Sequence, residues 1–90
     1  MADMILAYEV RPDGGEVEFD TLKAKVEETV KAYGDNVTIK EIKEAPMGFG
    51  LMAVYVEFQL DENLGSENLE NNLLALEEVG DVVVKKMDRL

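Results

Sequence analysis

From Met52 to Leu60 every second residue is large and apolar: Met52, Val54, Val56, Phe58 and Leu60 share one side of a period-two chain. Ala53, Tyr55, Glu57 and Gln59 share the other. A segment with this pattern is a strand with one face to bury and one to solvate. The rest of the chain must therefore supply cover for one side of a sheet.

Two helical stretches can provide it. Leu22, Val26 and Val30 recur every four residues, and Leu69, Leu73 and Leu76 define a second apolar face. Asp20 and Ser66 are the expected N-caps, Gly34 the expected C-terminal cap of the first helix, and Gly80 the end of the second. Residues 3–11 alternate through Met4, Leu6, Tyr8 and Val10 and read as the first strand. Pro12-Asp13-Gly14-Gly15 supplies turn chemistry after it. Val37 and Ile39 open the second strand, and Ile42 breaks the alternation, which predicts a bulge near Lys40 or Glu41. Asp61-Glu62-Asn63 is a polar loop, and Val82-Val83-Val84 begins a last strand.

The order is β-α-β-β-α-β. It predicts an α+β, ferredoxin-like sandwich, with a four-stranded antiparallel sheet and both helices on one face. Residues 1–90 are expected to form one domain, near the lower size at which a core holds without staples. The two halves share no sequence repeat.

Between the second and third strands stands Pro46-Met47-Gly48-Phe49-Gly50. Gly48 and Gly50 suit a hairpin turn that needs φ > 0. Phe49 between them is either folded back on the core edge or presented to a partner, and the enrichment of aromatic anchors at interfaces favours the second. Gly48-Phe49-Gly50-Leu51-Met52-Ala53 has the letters of a dinucleotide fingerprint, but a strand follows where a helix is required.

Charge placement is the second signal. The 90 residues hold 9 Lys plus Arg against 20 Asp plus Glu, a net charge of −11. No cation stands between Glu44 and Val84; then Lys85, Lys86 and Arg89 arrive together. Lysines on an edge strand block unwanted pairing, which accounts for Lys85 and Lys86 better than for Arg89. The face that each residue of this strand occupies is ambiguous, since Val82 and Val84 alternate one way and Val83 and Met87 the other. With strands 1 and 3 running one way and strands 2 and 4 the other, the Gly-rich loop and the end of strand 4 are expected at one end of the sheet. Strand spacing would then put them about 10 Å apart, within reach of one contact patch.

The composition disfavours several functions. The acidity repels nucleic-acid backbones and anionic membranes, and the sheet lacks the paired aromatics of an RNA-binding platform. With no Cys and no His, a nucleophile–base pair is hard to build and no thiolate metal site exists. Asp61-x-Asn63-x-Gly65 resembles a calcium loop but has Ser66 and Asn72 where Gly and Glu belong. No metal, no cofactor and no catalytic chemistry are expected. Neither a signal peptide nor a membrane span is legible, so the expected location is cytoplasmic.

The loop Pro46–Gly50 running into Leu51, the opening strand Met4–Val10, the segment Asn68-Leu69-Glu70 through Glu77-Glu78, and the ending Met87-Asp88-Arg89-Leu90 together resemble the exchange domain of translation elongation factor 1-beta. The size is similar to the short archaeal form. The resemblance implies a guanine nucleotide exchange factor for the GTPase elongation factor 1-alpha. It also implies partner contacts at Gly48, Phe49, Gly50, Lys86 and Arg89, with Phe49 at the aromatic position of the loop. Arg89 stands at the place of a penultimate Lys that reaches toward the GTPase magnesium site, with a planar, bulkier head group. The main competing reading is a small-molecule-binding regulatory module on the same fold. A small hydrolase using Arg11 beside the Pro12–Gly15 turn ranks last.

Overall fold

A computed structural model describes residues 3–34, 37–48 and 50–89. The elements are β1 (Asp3–Pro12), α1 (Phe19–Ala32), β2 (Thr38–Gly48), β3 (Leu51–Asp61), α2 (Glu67–Leu74) and β4 (Val79–Arg89). They form one four-stranded sheet of order β2-β3-β1-β4, in which every neighbouring pair is antiparallel. The ferredoxin-like expectation therefore holds.

The apolar face of the alternating run is the core. Val54, Val56, Phe58 and Leu60 of β3 are fully buried with Leu6, Tyr8 and Val10 of β1. Above them lie Leu22, Val26 and Val30 of α1 and Leu69 and Leu73 of α2. Tyr8 and Phe58 meet edge to face, with ring centroids 5.2 Å apart, the arrangement that ring quadrupoles favour. The Tyr8 hydroxyl is buried without a hydrogen-bond partner. Burial pushes its pKa up to about 12, Ser66 beside it opposes that shift, and the Glu70 carboxylate adds to it.

Helix ends differ from expectation. Glu18, in extended conformation, precedes α1, and Asp20 lies inside the first turn, where it favours the helix dipole instead of capping it. Ser66 does hold the N-cap position of α2, but its side chain makes no cap hydrogen bond. At the far end of α1 the Tyr33 N–H donates to the Val30 carbonyl at 3.2 Å. This tight turn closes the helix with no left-handed Gly34. α2 stops at Leu74 through a second such turn, the Leu76 N–H donating to the Leu73 carbonyl at 3.1 Å. Gly80 does not end a helix; it lies within β4, where a Cβ would stand 2.9 Å from the Pro12 carbonyl oxygen and 3.0 Å from Asp13 Cα. Close backbone approach, not helix termination, requires glycine there.

Each edge strand departs from regular register twice. The register of β2 on β3 shifts between Ile39 and Glu41, so the expected bulge is present, with Lys40 as the unpaired residue. Ile39 and Ile42 can then both pack against the core. The register of β4 on β1 shifts between Val84 and Lys86, leaving Lys85 unpaired. A bulge with a lysine on an edge discourages pairing with another sheet.

Strand direction corrects one expectation. A helical crossover makes the strands it joins parallel: β1 runs with β2, and β3 with β4, as the antiparallel pairings require. The β2–β3 hairpin thus lies beside the end of β1 and the start of β4. The end of β4 is at the opposite edge of the molecule.

Candidate partner interface

The hairpin tip is built from backbone conformation. Gly48 pairs with Leu51 after a register shift at Pro46, and Gly48 and Gly50 hold φ of +88° and +78°. Side chains rarely adopt such angles, so both glycines are set by the turn. Phe49 lies outside the described residues.

The other end is built from charge. Arg89 pairs with Met4 in the sheet, and its Nη2 lies 2.5 Å from Glu62 Oε1. Glu62 stands on the turn after β3. That turn is pinned from Asp61, whose Oδ1 accepts the Asn63 N–H at 2.8 Å and whose carbonyl accepts the Leu64 N–H at 3.0 Å. Nearby, the Gln59 amide donates to Asp3 Oδ2 at 2.6 Å.

Gly48 and Arg89 do not meet. Nine residue steps of β3 separate Leu51, beside Gly48, from Leu60, beside Met4. At strand rise this is about 30 Å, in a domain 42 Å long. The expected shared contact patch of about 10 Å is therefore wrong.

The β4 bulge settles the faces. Residues directly opposed across an antiparallel pair share a face. Val84 opposes Tyr8, Met87 opposes Leu6 and Arg89 opposes Met4, all on the helix-covered side. Lys86 opposes Ala7 on the open side, where its Nζ lies 3.9 Å from Asp88 Oδ2. Lys86 and Arg89 thus point to opposite faces of one strand. Val84 and Met87 are exposed apolar residues leading along β4 to Arg89.

The open face is a lattice of paired charges. Glu9 accepts from Arg11 Nε at 2.9 Å and stands 4.0 Å from Lys85 Nζ. Arg11 is therefore neutralised on the sheet and not poised over the turn that follows. Lys43 lies 5.0 Å from the centre of the Tyr55 ring and 3.1 Å from Glu41; the Glu41 contact chiefly holds its pKa above the usual lysine range. Tyr55 is the one aromatic on this face among the described residues, and Lys43 covers it, so the described residues present no pair of open aromatics for base stacking. No group of acidic residues able to hold a metal ion occurs among the described residues, and no described helix is long and apolar enough to cross a membrane. An open groove of about 360 Å³ lies between α1 and α2, lined by Glu28, Thr29, Ala32, Tyr33, Asn72 and Ala75.

A family model described as the EF-1 guanine nucleotide exchange domain matches residues 5–90. The chain belongs to this family. Among its relatives, "Elongation factor 1-beta" of Methanosphaera stadtmanae is 35% identical over 100% of this chain and 99% of its own. "Elongation factor 1-beta" of Methanocaldococcus jannaschii is 31% identical over 91% of each. A de novo designed protein, Foldit4, superposes with a TM-score of 0.59 over 93% of this chain and 97% of its own at 20% identity, a likeness of fold alone. Membership of the exchange-domain family favours the exchange reading over the small-molecule module.

Glu62 is the residue that sequence reasoning missed. Only its position in a polar loop was legible; its pairing with Arg89 depends on sheet register. The Lys86–Asp88 contact was accessible in principle, since residues two apart share a strand face.

Proposed function

We propose that this chain is a guanine nucleotide exchange factor that promotes GDP release from elongation factor 1-alpha. The family match across residues 5–90 carries the reading. The whole chain acts as one exchange domain and does no bond chemistry of its own. It works in the cytoplasm, where its GTPase partner serves protein synthesis.

The hairpin, with Gly48, Phe49 and Gly50, and the β4 end, with Lys86 and Arg89, are the proposed contacts. Their separation of about 30 Å calls for a partner that presents two distant patches. Phe49 anchors one patch through apolar burial. Arg89 meets the region that holds Mg²⁺ and phosphate, where a cation competes with the metal and weakens its hold on the nucleotide. Binding the empty GTPase more tightly than the nucleotide-bound form weakens nucleotide by the same factor, because coupling is reciprocal. Lys86, on the open face of the same strand, would meet a different part of the partner from Arg89.

The test loads elongation factor 1-alpha with a fluorescent GDP and follows its release with and without the chain. Catalytic acceleration is expected, with Phe49→Ala and Arg89→Ala each slowing it at least about tenfold, the scale of one lost anchor or buried charge contact. No acceleration of an active GTPase would overturn the reading. Full activity in both variants would overturn the residue assignment alone.

A further inference from the structure

We propose that Glu62 restrains Arg89, holding the guanidinium against the domain until a partner's anionic groups displace it. The proposal rests on the exchange reading and adds a positioning residue to it. The two residues are far apart in sequence and meet only because β4 ends beside the turn after β3, with Nη2 2.5 Å from Oε1. The restraint is asymmetric. The Arg89 side chain is 68% exposed and Glu62 only 33%. Glu62 is also carried on a turn whose flanking residues are hydrogen-bonded to Asp61, whereas Arg89 lies on an edge strand with a sheet partner on one side only. The carboxylate is thus the fixed member and the guanidinium the one free to leave.

The chemistry of exchange makes that departure necessary. A guanidinium paired to a carboxylate presents little net charge to a phosphate or to the carboxylates around a magnesium ion. Glu62 therefore competes with the partner for the same cation. A pair this exposed is weak and screened by salt, so it delays Arg89 without disabling it.

Glu62→Gln keeps the shape of the side chain and removes its charge. Fluorescent GDP release from elongation factor 1-alpha is expected to run about two- to fivefold faster with this variant at low salt, the range for an exposed ion pair. The gain should vanish near 1 M salt, where the Debye length falls to about 3 Å. It should also be absent in an Arg89→Ala background, and the Arg89 Nε–H NMR signal should report a more mobile side chain in Glu62→Gln. A Glu62→Gln chain that exchanges more slowly, or gains equally without Arg89, would overturn the restraint while leaving the exchange reading intact. An Arg89→Ala chain as fast as its parent would overturn it too, there being nothing to restrain. If the parent itself released no GDP, the exchange reading would fail and the restraint with it.

Discussion

The two ends of the sheet are held by different physics. At the hairpin end, order comes from backbone geometry: Gly48 and Gly50 at positive φ, and Gly80 pressed against Pro12 and Asp13. At the Arg89 end, order comes from side chains, through Arg89–Glu62, Gln59–Asp3 and the Asp61 turn. Backbone geometry does not respond to salt, but exposed charge does. One end is thus set by backbone turns and the other by salt-sensitive charge, in keeping with the anchor proposed at the first and the displaceable cation proposed at the second.

The contrast can be broken most severely at what the ends share. Phe58 lies in the common core, fully buried, and Phe58→Ala should cost about 3–5 kcal/mol in one cooperative transition by denaturant titration. Two separated transitions would mean that the ends fold as independent units. Alkaline titration strikes the same core through Tyr8. Its folded pKa, raised to about 12 by burial, exceeds the unfolded value of about 10. Its contribution is therefore complete below pH ~10 and is lost as pH rises toward ~12, on the order of 2–3 kcal/mol. Tyr8→Phe should abolish this component; an unchanged alkaline limb would refute the assignment.

Smaller effects separate the ends. Gly80→Ala places a Cβ 2.9 Å from backbone oxygen and should lower stability by about 1–3 kcal/mol, equally at low and high salt. Gly50→Ala imposes a left-handed alanine and should cost about 1–2 kcal/mol, again without salt dependence; a marked salt effect in either variant would erase the distinction. Arg89→Ala sits at the bottom of the scale, below about 1 kcal/mol and visible only at low salt. Thermal melts across a salt series would read all three.

How much of this was legible follows the range of each interaction. The alternation of β3, the Leu22–Val26–Val30 face and the β2 bulge were readable because they depend on residues a few positions apart. Gly80 was misread because a glycine after a helical pattern reads as a stop, and only the neighbouring chain shows the close approach. The strand directions were in fact accessible: a returning helix makes its flanking strands parallel. By that rule alone Arg89 and the hairpin stand at opposite ends of the sheet.

By itself the sequence determined the order of elements, the buried face of each, the Gly-rich hairpin and the partition of charge, since periodicity, turn chemistry and composition are local properties of the chain. Tertiary structure decided that Arg89 meets Glu62 and that Lys86 and Arg89 stand on opposite faces. Those facts depend on register and on one extra residue, Lys85, and a shift of one residue in a strand turns every later side chain to the other face.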